Sequence, residues 1–543
     1  MSDEGQELCL HGHPSAASSD LIYCPYCPEG KDEGSHISFF CRQCELDFHD
    51  RKYDKASPEI CHPSHPRHPL SLLRSFDAAR KCLLCGQNLK VIAYHCSICE
   101  FAIDLVCAKR PPLLAIDNPK THDHTLTLMP REVSFTCDAC GIETHGQSPY
   151  VCPQCNFMVH KECIGLPRVI HINRHHHRVS MTEFLGPGKR ICGVCRKMVD
   201  GRYGAYTCSK CTGYAVHSKC ATRSDVWDGR ELEGEPEETD ETEDLMPYKV
   251  VAHNVINHFS HEEHNLKLTE VALASDPSMI CEACTFPVSS ESDPFYSCMD
   301  CKFALHEKCA NLPRKIRHVL HNHPLTLRVD TIPKESEYYN IAFECSACKR
   351  LCSGFKYECC GIELDVRCGS ISEPFYHKNH HHPLFLTSLD SKTCEACHEE
   401  KGNVLRCTDC DFALDFECAT LPTIVKHKSD QHPLSLSPGE EAPGPYWCDI
   451  CEAETSSKTW FYLCDDYCCS TLHVKCVIPD FKYMKLGRRL FFWRATFEVA
   501  LNKRPSQKRY CTICGWSCED DFFLVRKHLC FCSFDCFKHF VGY

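Results

Sequence analysis

Between residues 124 and 171 the chain carries His124, Cys137, Cys140, Cys152, Cys155, His160, Cys163 and His171. Their spacing is H-x12-C-x2-C-x11-C-x2-C-x4-H-x2-C-x7-H. These are soft or borderline donors. Zn²⁺ takes four of them in a closed tetrahedral structural site, with Zn–S near ~2.3 Å and Zn–N near ~2.0 Å. Eight donors therefore read as two sites. A C-x2-C pair can clamp an ion from a single tight turn. The competing reading, buried free thiols, would not require two such pairs with histidines in step.

The whole chain is rich in the same chemistry, with 49 Cys and 35 His in 543 residues. Disulfides would need an oxidising compartment. The first thirty residues lack an apolar core, so no secretory signal is expected, and no run approaches the ~18–20 apolar residues of a membrane span. The Cys count is odd, and disulfides would not call for histidine in register. Metal is the expected use of the cysteines, and the expected location is cytoplasmic and/or nuclear. The net charge of −13 argues against whole-chain binding to nucleic acid, which depends on Lys and Arg neutralising phosphates.

The pattern recurs about every fifty residues, eight times. The first unit, 9–65, is degraded: His11 or His13 opens it, followed by Cys24, Cys27, Cys41, Cys44 and His49, with Lys52 where a cysteine belongs. The second, 66–122, has His68, Cys82, Cys85, Cys96, Cys99, Asp104 and Cys107, with His122 as a late closer. The third spans 123–171. The fourth, 175–227, has His177, Cys192, Cys195, Cys208, Cys211, His217 and Cys220, and its closer must come from His253, His258 or His261. The stretch 228–244 holds ten acids and one Arg and reads as a solvated, self-repelling linker, 228–250. The fifth unit, 258–318, has His264, Cys281, Cys284, Cys298, Cys301, His306, Cys309 and His318. The sixth, 321–377, has His323, Cys345, Cys348, Cys359, Cys360, Asp365, Cys368 and His377; its second pair has lost the two intervening residues, and Cys352 is the spare thiol that could rescue it. The seventh, 380–427, has His382, Cys394, Cys397, Cys407, Cys410, Asp415, Cys418 and His427. The eighth, 430–480, has His432, Cys448, Cys451, Cys464, Cys468 or Cys469, His473 and Cys476.

Short elements must position these donors. Phe295, Tyr296 and Ser297 suggest a brief strand into the second cysteine pair, and 307–311 suggests one helical turn ended at Leu312-Pro313. Each unit has too few apolar residues to fold by burial alone. Structural zinc supplies roughly 10–16 kcal/mol of apparent binding free energy that becomes folding energy. Repeat arrays couple to near neighbours, so metal removal is expected to unfold units one by one.

The shared text, H-P-L-x-L, then C-x2-C, then Y-x-C-x2-C-x-F-x-x-H/D-x2-C, resembles the plant Cys/His-rich DC1 (divergent C1) family, relatives of the diacylglycerol-binding C1 domain. The resemblance covers about residues 9–480. It implies a tandem array of small zinc-stabilised α+β modules, each an interleaved two-zinc finger with short strands and one short helix. In the third unit it pairs His124, Cys152, Cys155 and His171 at one ion, and Cys137, Cys140, His160 and Cys163 at the other. In the fifth it pairs His264, Cys298, Cys301 and His318, and Cys281, Cys284, His306 and Cys309. Asp104, Asp365 and Asp415 depart from the His pattern: each is either an oxygen ligand or a hydrogen-bonding neighbour of the metal. The extra histidines His65, His122, His175, His321 and His380 are either partners of ligands or alternative ligands. The Gln-Gly loop of lipid-binding C1 domains is absent, Gly146-Gln147 having the reverse order, so diacylglycerol is not expected to bind.

The last segment, 481–543, opens with a basic stretch. Phe491, Trp493, Phe497, Val499 and Leu501 alternate with more polar positions, the pattern of a half-buried strand. Cys511, Cys514, Cys532 and Cys536 follow, similar to single-zinc FCS/TRASH knuckles, with Cys518, Cys530, His528 and His539 as spare donors.

Three function classes compete. The favoured one is a non-catalytic zinc-bound interaction and signalling scaffold with protein partners and about two Zn²⁺ per intact unit. The others are a thiol–disulfide oxidoreductase, which needs reactive thiolates, and a nucleic-acid or histone-tail reader using the basic C-terminal strand.

Overall fold

The two leucines of H-P-L-x-L sit two residues apart, so a strand through them points both to one face. The computed structural model places them so: Leu126 and Leu128, Leu325 and Leu327, Leu384 and Leu386, and Leu434 and Leu436 are all buried. It describes residues 57–541 except 74–79, 90–91, 110–112, 237–245, 270–278, 289–293, 330–341, 388–390, 440–445, 457, 467, 486–488, 493–494, 502–508 and 516–521. Before residue 57 it describes only the strands Ala16–Ser18, Ser38–Cys41 and Leu46–His49. Cys24, Cys27 and Cys44, and the side chains of Cys41 and His49, lie outside the described residues. The chain forms two compact units, one of 1–168, 181–190 and 199–207, the other of 169–180, 191–198 and 208–543.

The fifth module shows the plan. Strands Tyr248–Ala252, Val255–His258, Leu266–Thr269, Phe295–Cys298 and Ala304–His306 form one antiparallel sheet in that order. A one-turn helix, Glu307–Ala310, follows. The register sets Leu266 opposite Cys298, and Leu384 and Leu434 stand likewise opposite Cys407 and Cys464. The buried leucine thus fixes where the second cysteine pair begins. The Tyr of Y-x-C is buried and its hydroxyl donates to a carbonyl of the incoming connector. Tyr206 bonds Pro167 O at 2.6 Å, Tyr357 bonds Pro313 O at 2.8 Å and Tyr462 bonds Pro422 O at 2.8 Å. The Leu-Pro text is therefore an anchor point as well as a helix stop.

Each leading cysteine knuckle of the described modules closes through a left-handed residue. Arg196, Thr285, Lys349, His398 and Glu452, each just after the second cysteine of a C-x2-C, have φ of 59°, 63°, 62°, 58° and 55°. L side chains resist that conformation by roughly 1–2 kcal/mol. It turns each amide back to the carbonyl of the first cysteine, as in Lys349 N to Cys345 O at 2.8 Å and His398 N to Cys394 O at 2.8 Å. The sixth module lacks its second knuckle. There Cys359 pairs with Ile362 across Cys360-Gly361, at φ 50° and 83°, a two-residue turn with both φ positive.

Two expectations change. The histidines read as closers lie on or beside the first strand of the next sheet. Val169–Ile172 pairs with Val179–Thr182, Lys315–His318 with His321–Arg328, Phe375–His377 with His380–Thr387, and Ile424–Val425 with Leu434–Ser437. The acidic stretch does not begin as linker: Trp227–Glu231 is a strand, with Ile170 opposite Glu231 and Ile172 opposite Trp227. In the second compact unit one apolar cluster runs from Ile256 to Tyr483, because packed sheet faces continue across module borders; it bears on the expected one-by-one unfolding, which remains an expectation.

Candidate metal centres

Two kinds of donor group recur. The first joins the leading knuckle to the H/D-x2-C helix turn. Cys137, Cys140, His160 and Cys163, all buried, have ligand atoms within 4.8 Å of one another, as do Cys192, Cys195, His217 and Cys220. In each case the histidine turns Nδ1 to the knuckle. The distance to Sγ is 3.5 Å for His160 and Cys140, 3.3 Å for His217 and Cys195, 3.4 Å for His306 and Cys284, and 3.2 Å for His473 and Cys451. The other nitrogen is held by the module. Nε2 of His217, His306 and His473 lies 3.1, 3.1 and 3.2 Å from the carbonyls of Met198, Pro287 and Glu454, while His160 Nε2 meets Thr144 Oγ1 at 2.5 Å. A histidine whose far N–H is tied to a carbonyl presents a fixed lone pair to a metal.

The three Asp modules keep this position. Asp104, Asp365 and Asp415 each use Oδ1 to accept the amide of the following cysteine, Cys107, Cys368 and Cys418, at 2.7, 3.2 and 2.7 Å. Their Oδ2 atoms face Cys85, Cys348 and Cys397 at 2.9, 3.6 and 3.2 Å. One carboxylate therefore caps the short helix and faces the thiols.

The second kind of group joins the trailing knuckle to a pair of histidines. His65, His68, Cys96 and Cys99 form one, His122, His124, Cys152 and Cys155 another, and His175, His177, Cys208 and Cys211 a third, each with ligand atoms within 4.8 Å. In the fifth module His261 Nε2 lies 3.4 Å from Cys301 Sγ and 3.3 Å from His264 Nδ1. In the seventh, His380 and His382 lie 3.6 and 3.9 Å from Cys410 Sγ. In the third, fourth, fifth and seventh modules the earlier histidine stacks on the aromatic just after the trailing knuckle: His122 on Phe157 at 4.2 Å, His175 on Tyr214 at 3.8 Å, His261 on Phe303 at 4.4 Å and His380 on Phe412 at 4.0 Å.

This corrects the closing ligand. His122 belongs with the third module's donors, not the second's, and His175 fills the place sought among His253, His258 and His261. His171 Nε2 bonds the His176 carbonyl at 3.1 Å, and His318 Nε2 bonds the Cys368 carbonyl at 3.1 Å. His377 packs 5.1 Å from the Trp460 ring, and His427 Nδ1 meets Ser429 Oγ at 2.8 Å. In the eighth module Cys468, rather than Cys469, faces the site, 3.3 Å from His432 Nδ1 and 2.8 Å from Cys464. Asp430 Oδ2, absent from the sequence reading, stands 3.1 Å from Cys468 Sγ, two residues before His432 where other modules have histidine.

In the sixth module the Cys359 and Cys360 sulfurs lie 3.2 Å apart and the His321 and His323 rings 5.3 Å apart. Cys352 is not with them. It lies at the leading knuckle, where the Cys348 thiol contacts Cys345, Cys352 and Cys368. At the C-terminal end Cys532 lies 3.6 Å from Cys514 and 3.8 Å from Cys536. Phe497 and Val499 are buried on the strand Ala495–Leu501, which forms a hairpin with Arg489–Phe492. The single strand expected through Phe491 and Leu501 is thus two.

The donors fit a cation. Backbone amides aim at sulfur, with Gln154 N, Val194 N and Asp300 N each 3.4 Å from Cys152, Cys192 and Cys298 Sγ. Hydrogen bonds from Cys107 and Cys85 hold the Cys82 thiol down at about 2, and those from Cys397 and Cys418 hold Cys394 at about 4. Facing sulfurs from Cys137 and Cys140 push His160 up to about 9. Thiolate-rich sets of four S and N donors are zinc chemistry.

Seven stretches, 63–108, 120–164, 173–221, 259–310, 319–369, 378–419 and 427–477, match a family model described as the C1 domain, and together they cover more than half of the chain. The matches begin past nearly all of the first unit. No curated protein and no solved structure matches the chain. Zinc is the ion of C1 modules, and the repeated Cys/His groups are built for it. The chain belongs to the Cys/His-rich C1 domain family, as a tandem array of DC1-type modules.

Proposed function

We propose that the chain is a non-catalytic scaffold whose zinc ions shape surfaces for protein partners. The leading ligands are Cys137, Cys140, His160 and Cys163 in the third module, and their counterparts elsewhere. The trailing ligands are His122, His124, Cys152 and Cys155, and their counterparts. The observation that carries the reading is closure. Four protein donors converge at both centres of the third and fourth modules, and a filled tetrahedral shell leaves no position for the activated water a catalytic zinc needs. Thiolates engaged by a metal are also withheld from disulfide exchange. The test uses zinc-loaded full-length chain in an insulin-reduction assay, with alkylation of its cysteines read peptide by peptide. The expected result is no turnover, with the centre cysteines protected until a chelator is added. Turnover by the fully loaded chain would overturn the proposal in favour of a redox enzyme.

A further inference from the structure

In its leading half the sixth module stands apart from the other described modules at one position. Four residues after the second cysteine of the leading knuckle stands Thr144 in the third module, and its Oγ1 reaches His160, the fourth donor, at 2.5 Å. This position therefore borders the fourth ligand. The residues there are Leu89, Val199, Val288, Lys401 and Thr455 in the second, fourth, fifth, seventh and eighth modules. In the sixth it is Cys352.

The hairpin of Phe343–Glu344 with Leu351–Cys352 sets Cys352 opposite Phe343, two residues before Cys345. Cys352 is 3% exposed, and its thiol contacts that of Cys348, which also touches Cys345 and Cys368. Asp365 is shorter than the histidine it replaces and is occupied as a cap, its Oδ1 accepting from Arg367 N at 3.0 Å and Cys368 N at 3.2 Å. Its Oδ2 stands 3.6 Å from Cys348 Sγ, the longest such distance of the three Asp modules.

The charge around the site agrees with an anionic shell. Arg350 lies between Cys348 and Cys352 in sequence, and Arg367 precedes Cys368. Nε and Nη1 of Arg350 and Nη2 of Arg367 are buried with no hydrogen-bond partner among the described residues. Arg350 pairs with Glu417 at 2.5 Å. Buried cations need opposing charge nearby. Zn²⁺ with four thiolates is doubly negative, as it is with three thiolates and a carboxylate, so charge asks for a fully anionic shell and the geometry of Cys352 and Asp365 chooses its fourth member.

We propose that the sixth module's leading centre is a four-thiolate zinc site, Cys345, Cys348, Cys352 and Cys368, with Asp365 serving as helix cap only. This rests on the zinc reading above. It also removes Cys352 as a rescuer of the Cys359/Cys360 pair.

The test compares zinc-loaded full-length wild type, Cys352→Ser and Asp365→Asn by elemental zinc content and peptide-resolved alkylation. Asn keeps the oxygen that caps the helix. The expected result is that Cys352→Ser loses one ion and opens Cys345, Cys348 and Cys368 to alkylation, with labelling of Cys359 and Cys360 unchanged, while Asp365→Asn matches wild type. Any other pattern of the two variants overturns the assignment. Should Cys352→Ser fail to fold, the ¹¹³Cd spectrum of cadmium-exchanged wild type decides. Two resonances at the four-sulfur position, this site and the C-terminal knuckle, support it, and one alone overturns it. Wild type that binds no zinc at all would instead defeat the underlying zinc reading.

Discussion

His122 and His171 are chemically equal candidates for one place, and backbone pairing decides between them. His122 is held flat against Phe157 with Nε2 3.0 Å from Cys155 Sγ, whereas His171 sits on a strand of the next sheet. His122→Ala should therefore lose one zinc and expose Cys152 and Cys155 to alkylation, while His171→Ala keeps full loading; elemental analysis with peptide mapping checks both. The displaced closers have their own role. Burial pushes His258, His318 and His377 down to about 4, so each is neutral in the fold at pH 7. The unfolded chain takes up a proton near the ordinary 6.5 and the folded chain does not. The stability is therefore complete above about pH 6.5 and is lost as the pH falls toward 4. For His318, 2% exposed, the shift corresponds to at most ~3 kcal/mol. His318→Gln retains an N–H for the Cys368 carbonyl and does not titrate. Its denaturant midpoint should fall less between pH 7 and pH 4.5 than that of wild type, since acid release of zinc is common to both.

At the scale of elements, the modules are hairpins pinned at three points: the knuckle, the leucine opposite the second pair, and the tyrosine on the connector. Tyr462 illustrates the third, fully buried with its hydroxyl 2.8 Å from Pro422 O. Tyr462→Phe leaves that carbonyl short of a donor and should cost about 1–2 kcal/mol, read as faster hydrogen exchange in the strands Leu434–Ser437 and Phe461–Cys464. Much of this was legible from the residues. C-x2-C specifies a knuckle, L-x-L a one-sided strand, and H-x2-C before Leu-Pro a single helical turn, because each is a local constraint. The fourth donor of the trailing centre was not legible. His122 and His171 flank the third unit almost symmetrically, and only strand pairing tells which side of a border each belongs to. The aromatic that stacks on the true ligand, Phe157, was visible as C-x-F, but its meaning needed the stacked geometry. Asp430 was hidden among many acids. Cys352 was visible as a spare thiol, and the hairpin that takes it to the leading knuckle was not.

At the scale of the second compact unit, the repeats are tied together beyond neighbours in sequence. The segment after the eighth module forms the turn Asp480–Tyr483 and inserts at the fifth and sixth. Tyr483 lies between the guanidinium groups of Arg350 and Arg367, each 4.4 Å from its ring, with Phe286 at 5.5 Å. Ser353 N donates to Tyr483 O at 3.0 Å, Lys485 N donates to Ser353 Oγ at 2.8 Å, and the Lys485 ammonium pairs with Glu282. The ring offers its face to two cations, a favourable contact when desolvated, and fills space no module supplies for itself. Tyr483→Ala should remove about 3–5 kcal/mol, the usual cost of deleting a buried aromatic. The location of the effect carries more information than its size. If the strap couples modules, exchange should accelerate around 282–286 and 350–367 as well as at 480–485, and chelator should strip the fifth and sixth modules at lower concentration than in wild type. A change confined to the eighth module and its tail would mean that the repeats stand independently after all, with metal alone setting the stability of each.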